Sequence, residues 1–351
     1  MNALVDGLDR VRLGWLQLLG PLASPFVRSR ELRSASALAM SIALALVLTA
    51  VAPLELLALG PLVLGVPHLA ADVRYLVVRP GLHRRAAFWI AVVAPLVALG
   101  VTSASWLGFV AMLGAVLTLP SVWTARRVAM AMLAAVSLVA SFTLPRVIAP
   151  VIAHAHNLIA VGFFLAWPHL VSRERTSAWH RAVTMLFVLA SIAIFSGAFD
   201  SLALDAGRLE LGEGMGTNVD VHLATLVPSA FVEVEHALAL RFVLFFAFAQ
   251  SVHYATWLRA IPDEDRERET PRTFRASIEA MRLEGSLPVM SVFGVLALGL
   301  AVWAAIDLYE ARMGYLRGAL FHGYLELAVI GALFAQSGAG ASRLRDLGSA
   351  A

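Results

Sequence analysis

Two carboxylate–histidine pairs stand inside strongly apolar stretches of this sequence. His68 precedes Asp72 by four residues in "GVPHLAADVRYLV", and His322 precedes Glu326 by four residues in "FHGYLELA". Residues four apart on a helix lie on the same face, one turn from each other. Each pair can therefore present an imidazole and a carboxylate to the same neighbour.

Three more histidines occur in apolar stretches: His154 and His156 in "IAHAHNLIAVGFF", and His253 in "FAQSVHYATWLR". His154 and His156 are about 200° apart around an α-helix, so both face one point only if the helix is distorted, for which Pro150 is well placed. Ionisable groups inside a membrane span cost a few kcal/mol and usually serve a function.

Histidines and carboxylates on several helices have the composition of a metal site, and imidazole with carboxylate suits iron or zinc. The alternative is that the histidines only hydrogen-bond between helices. We predict a site whose metal ligands come from His68, His154, His156, His253 and His322, with Asp72 and Glu326 as catalytic carboxylates. The expected ion is iron in preference to zinc.

The composition defines the environment of these residues. Of the 351 residues, 60% are hydrophobic and 15% are charged, and the mean hydropathy is +0.79. Soluble domains average about 45–50% apolar and about 25% charged residues. The chain has no Cys, which excludes disulfides and thiolate ligands. All 27 basic residues are Arg, which we interpret as the habit of a GC-rich bacterial genome. We therefore predict a multi-pass protein of the bacterial cytoplasmic (inner) membrane.

A helix needs about 20 apolar residues to cross a bilayer. The sequence predicts an all-α bundle of about eight to ten transmembrane helices. The candidate spans are 36–52, 54–78, 86–103, 105–122, 128–145, 148–170, 182–203, 233–260, 286–308 and 318–337. The arginines concentrate in alternate short loops, which predicts cytosolic termini and argues against nucleic acid as the partner of this basic chain.

The spans divide the chain into three parts. Residues 1–35 lack the pattern of a cleavable signal peptide and are predicted to form a cytosolic or interfacial amphipathic leader. Residues 36–337 form the transmembrane domain, with an external loop at 204–232 and a charged, solvated cytosolic loop at 261–285. Residues 338–351 are predicted to be a cytosolic tail.

Two of the quoted segments carry a resemblance to a known family. "GVPHLAADVRYLV" resembles the glycine-x-proline-histidine…aspartate segment of the bacterial Brp/Blh family, which are membrane β-carotene 15,15'-dioxygenases. "FFAFAQSVHYATWLR" is similar to that family's aromatic-rich segment ending in serine and histidine. The resemblance implies that His68 is an iron ligand supported by Asp72, and that His253 is a second ligand. Leu69 and Gln250 depart from the family pattern, where a glycine and a further histidine are expected.

The favoured interpretation is an iron oxygenase that acts on a lipophilic, carotenoid-like or lipid substrate within the bilayer. Its substrate channel is predicted to be lined by Phe163, Phe245 and Trp257. A proton- or metal-coupled transporter and a structural or assembly subunit are the alternatives. Depth along the predicted spans leaves open whether there is one site or two, because His68 and His253 lie deeper than the other histidines. Metal analysis of the purified protein separates the first interpretation from the others.

Overall fold

The computed structural model describes residues 2–120, 122–171, 176–203, 219–228, 231, 235–266 and 268–336. These residues form helices and contain no β-strand, as predicted. The helices that build the fold are α1 (Asn2–Leu19), α2 (Arg30–Val51), α3 (Pro53–Val78), α4 (Ala86–Thr102), α5 (Trp106–Leu117), α6 (Ala125–Thr143), α7 (Pro145–Val171), α8 (Ala178–Phe195), α9 (Val219–Leu226), α10 (His236–Glu264), α11 (Phe274–Leu283), α12 (Leu287–Ile306) and α13 (Leu308–Gln336).

Local sequence signals explain where several of these helices begin. The hydroxyls of Ser29, Thr124 and Ser177 accept backbone N–H groups in the first turns of α2, α6 and α8. Such N-caps satisfy donors that have no partner within the helix. Pro53 and Pro145 open α3 and α7, where the missing N–H of proline costs nothing. The first span therefore begins before residue 36, its predicted start.

Eight helices in the described residues are long and apolar enough to cross a membrane. The predicted spans 86–103 and 105–122 correspond to α4 and α5, which are shorter. Ser103 turns the chain between them with a left-handed backbone (φ 58°). If α4 and α5 both cross the membrane they add two crossings, and if neither does they add none. In both cases the later helices cross the membrane in the same directions. The cytosolic position of the termini stays a prediction.

The helices that carry most of the predicted site lie at the centre of the bundle. In the most apolar stretch of each helix, 72% of the residues are buried in α10 and 61% in α13, but only 6% in α12. Helix α13 packs against α3 to α7 and α12, and α10 packs against α2, α3, α7 and α8. Gly65 allows α3 to approach α13 closely, since a methyl group there would overlap the ring of Tyr315. Polar residues on these inner faces must satisfy one another within the bundle.

Part of the predicted solvated loop 261–285 is buried. Asp263 and Glu264 are each only 3% exposed at the end of α10. The Asp263 carboxylate accepts a hydrogen bond from Arg33 Nε at 2.8 Å. Glu264 accepts the hydroxyl of Ser34 and lies 3.3 Å from His180 Nε2. These pairs join α10 to α2 and α8, so the prediction of a solvated connector is wrong for this stretch.

The predicted leader and loops are described in part. Helix α1 exposes large apolar side chains, among them Val11 and Trp15 (each 61% exposed), and packs on α11. Asp9 accepts the backbone N–H groups of Phe274 and Arg275 at the start of α11. An interfacial position for α1 stays a prediction. Of the external loop, α9 packs on α7 and α10. Residues 204–218 and the predicted tail 338–351 lie outside the described residues.

Candidate metal centre

Four helices each bring one histidine to a common point. The centroid of the His68 ring lies 5.2 Å from that of His253 and 4.9 Å from that of His322. The ring of His156 lies 5.2 Å from His253 and 5.1 Å from His322. Each residue stands near the middle of its helix: His68 in α3, His156 in α7, His253 in α10 and His322 in α13. The histidines therefore form one cluster, and the two layers left open by the sequence do not occur.

Donor atoms within this cluster are close enough to share an ion. Four donor atoms all lie within 4.8 Å of one another: one ring nitrogen from each of His68, His253 and His322, and one oxygen of Asp72. Ligand atoms around a tetrahedral ion with bonds of about 2.1 Å are separated by roughly 3.4 Å. These residues could hold a metal ion.

Backbone carbonyls orient three of the four imidazoles. The Nδ1 atoms of His68 and His156 each lie 3.2 Å from a carbonyl oxygen one turn earlier in their helices, and Nδ1 of His322 is similarly placed. The carbonyls belong to Leu64, Ile152 and Ala319. An N–H donated from Nδ1 leaves the lone pair on Nε2, the usual arrangement of a histidine that binds a metal.

Asp72 is enclosed without a hydrogen-bond partner. It is 0% exposed, and neither carboxylate oxygen has a partner among the described residues. His68 does not donate a hydrogen bond to it, and Arg74 pairs with Glu284 at 2.9 Å. An isolated buried carboxylate is strongly unfavourable unless a cation compensates it. A metal ion between Asp72 and the imidazoles would supply that cation.

Glu326 lies beside His253 and is held by Trp257. The Trp257 indole N–H donates to Oε1 of Glu326 at 2.7 Å. The same oxygen lies 3.8 Å from Nε2 of His253, whereas Oε2 is buried and has no hydrogen-bond partner in the part of the chain that the structure describes. Trp257 was predicted to line a substrate channel, but it is 0% exposed and orients a carboxylate. Glu326 can therefore support His253 as a ligand or bind the ion itself.

Buried polar atoms without hydrogen-bond partners are concentrated at this point of the described structure. Most buried polar groups in proteins are satisfied, so an accumulation of orphans indicates a missing ligand or ion. Those at the cluster are Nε2 of His68, both oxygens of Asp72, both ring nitrogens of His253, Nε2 of His322 and Oε2 of Glu326. Imidazole and carboxylate donors fit a borderline or hard divalent ion such as iron or zinc.

Irregular helix turns follow two of the site residues. A π-helical segment, Val73–Val78, begins directly after Asp72. Another, Thr256–Ala260, begins soon after His253 and contains Trp257. An extra residue in a turn changes the direction of the side chains that follow, and such segments are frequent at functional sites. The second segment helps to aim the Trp257 indole at Glu326.

The structure does not bring every predicted residue to the cluster. His154 points to the opposite side of α7, where its Nε2 donates to the Leu226 carbonyl at 3.0 Å and its ring stacks on Phe245 at 5.7 Å. Phe163 and Phe245 are 2% and 7% exposed and pack in the core. Both histidines were predicted as ligands, which required a distorted helix; only His156 joins the cluster.

One aromatic neighbour of the site was missed in the sequence. The ring of Tyr254 lies 4.5 Å from that of His68, closer than any of the histidine pairs. Tyr254 is 3% exposed and interacts with Tyr315 of α13. Its position directly after His253 carried no periodic signal, because neighbours in a helix point about 100° apart. Only the packing of α3 against α10 places it on His68.

Comparison with known proteins adds no relative. No protein-family model, no curated protein and no solved structure matches this chain. The site is therefore interpreted from its own residues and geometry.

Proposed function

We propose that this protein is a membrane metalloenzyme that holds one iron ion at the histidine cluster and oxygenates a lipid-soluble substrate. The observation that carries the proposal is the set of enclosed, unpartnered donors that His68, Asp72, His253 and His322 direct to one point. His156 completes the ring of imidazoles.

The donor set favours a redox-active ion with room for a reactant. Histidines with one carboxylate, leaving open positions, are typical of non-haem iron oxygenases. When bound, iron would supply an open coordination position at which O2 reacts. The carbonyl-oriented imidazoles and Glu326, held by Trp257, would keep the donors in place as the ion's surroundings change.

The position of the site supports an apolar substrate. The histidines lie near the middle of helices long enough to span a membrane, where the surroundings are hydrocarbon. Cleavage of a carbon–carbon double bond by O2 places one oxygen atom on each product carbonyl and needs no external reductant. A polyene such as a carotenoid, implied by the Brp/Blh resemblance, is one substrate of this class.

Metal content of the purified protein tests the proposal. We expect about one iron per chain in wild type and its loss in His68→Ala, His253→Ala and His322→Ala, because each removes a ligand. The matched control is His154→Ala, which removes an intramembrane histidine outside the cluster and should keep the iron. Size-exclusion profiles and melting temperatures would establish that each variant is folded.

Two outcomes contradict the proposal. A folded wild type that holds no transition metal after growth with added iron would remove the metalloenzyme and favour a carrier or a structural subunit. A protein that holds only zinc under the same conditions would keep the metal site and remove the oxygenase. Iron-loaded protein should also consume O2 when a polyene is added in detergent, and His68→Ala should not.

A further inference from the structure

The metal centre is enclosed on one side and thinly covered on the other. The residues from α3 and α10, together with Glu326, have no exposed surface: His68, Asp72, His253 and Glu326. His156 of α7 and His322 of α13 are both partly exposed. The side of the cluster formed by α7 and α13 is therefore its thinnest wall.

Apolar side chains next to these two histidines are partly exposed as well. Ile152 and Ala155 precede His156 on α7, and Phe321 precedes His322 on α13. This level lies near the middle of both helices, where the surroundings are bilayer hydrocarbon. A molecule that meets this wall from outside comes from the lipid phase.

Two glycines of α13 show where α7 and α13 touch and where space remains. A Cβ atom at Gly323 would lie 3.1 Å from Cβ of His156, so the two helices are in close contact there. A Cβ atom at Gly318 would meet nothing within 4 Å, and Gly318 is exposed. Gly318 precedes His322 by four residues and shares its face of the helix. The open space lies one helical turn from His322, on the same face of α13.

We propose that an apolar, lipid-dissolved molecule reaches the metal centre sideways from the bilayer, past Gly318 on the side of the cluster formed by α7 and α13. The identity of this molecule as a substrate rests on the proposed function. The opening itself rests on the partial exposure of the two histidines and on the space at Gly318.

Iron extraction from protein in lipid nanodiscs tests the route. Bathophenanthroline is neutral and lipid-soluble, and its disulfonate carries the same iron-binding group with two charges. We expect the neutral chelator to remove iron about a hundredfold faster, because charge disfavours entry into hydrocarbon. Gly318→Leu should slow the neutral chelator several-fold without changing the iron content. The control Gly294→Leu, on lipid-facing α12 with equally open space, should change neither rate.

Equal rates for the two chelators, or equal effects of the two leucine substitutions, would overturn the lateral route. A second measurement does not depend on iron, so it also decides the case in which wild type holds none. The chain has no Cys, so a nitroxide on Gly318→Cys is a unique label. Lipid-soluble O2 should accelerate the spin relaxation of this nitroxide more than a water-soluble nickel chelate does. A nitroxide on the reference variant Gly294→Cys should respond in the same way. Dominant nickel relaxation would show a water route, and protection from both reagents would show a closed wall. Either result refutes the proposal.

Discussion

The hydrogen bond from Trp257 to Glu326 offers a sharp test of how the proposed metal centre is held. Trp257→Phe removes the indole N–H that donates to Oε1 at 2.7 Å and keeps a buried aromatic ring. Hydrogen bonds to charged groups contribute about 1.5–3 kcal/mol. Loss of a group that supports a metal ligand typically weakens metal binding about 10- to 100-fold. These figures agree, since tenfold corresponds to about 1.4 kcal/mol.

Trp167→Phe is the matched control for this substitution. Trp167 is 1% exposed, and no described residue forms a hydrogen bond with its buried indole nitrogen. It also packs edge-on against Trp257, with ring centroids 6.3 Å apart, so both variants lose similar packing in one region. Only the variant at Trp257 removes a hydrogen bond to the site.

Competition with a chelator of known affinity would measure iron binding in both variants and in wild type. We expect the iron dissociation constant to rise about 10- to 100-fold in Trp257→Phe and to stay within about threefold of wild type in Trp167→Phe. Equal losses in both variants would refute the reasoning, because they would trace the effect to packing. Unchanged binding in both would remove Glu326 from the support of the site.

Three further outcomes are expected. Asp72→Asn should weaken iron binding yet raise the melting temperature of the iron-free protein, because it removes an unpaired buried carboxylate; a lower melting temperature would contradict this. Arg33→Met should cost about 1.5–3 kcal/mol of unfolding free energy, because it removes hydrogen bonds to the buried Asp263 carboxylate, which keeps its pair with Arg266. Arg259→Met, at a 54% exposed side chain, should cost less than about 1 kcal/mol. Burial lowers the pKa of His222 to about 4, so the folded protein stays unprotonated there while unfolded chains gain a proton below pH 6.5. As the pH decreases between those two values, the free energy of unfolding should fall by about 1.4 kcal/mol per pH unit. His222→Gln should reduce that slope in pH-dependent melting.

Much of the architecture is local and could be predicted from the sequence. Apolar runs of membrane-spanning length specify α2, α3, α7 and α10, because a helix satisfies its backbone within the segment. The four-residue spacing from His68 to Asp72 likewise predicted two groups on one helix face, and both are buried at the site. The spacing did not predict whether they bond to each other, and they do not.

The choice between His154 and His156 depended on tertiary structure. Their separation around the helix allowed both at one point only if the helix were distorted, and both were predicted as ligands. The rotation of α7 against α10 and α13 turns His156 inward and leaves His154 against Phe245. The depth of each histidine depended on packing in the same way, because helix tilt and shift are not encoded in the length of an apolar run.

The sequence by itself determined the class of protein, the helices and the kinds of donor available to an ion. The tertiary structure decided which donors meet, that Trp257 holds Glu326, and that Asp263 and Glu264 are buried against α2 and α8. The physical reason is the range of the forces involved. Helical periodicity and hydropathy act within a few turns of one segment. Contacts between residues far apart in the chain follow from how helix surfaces pack together, and no single segment contains that information.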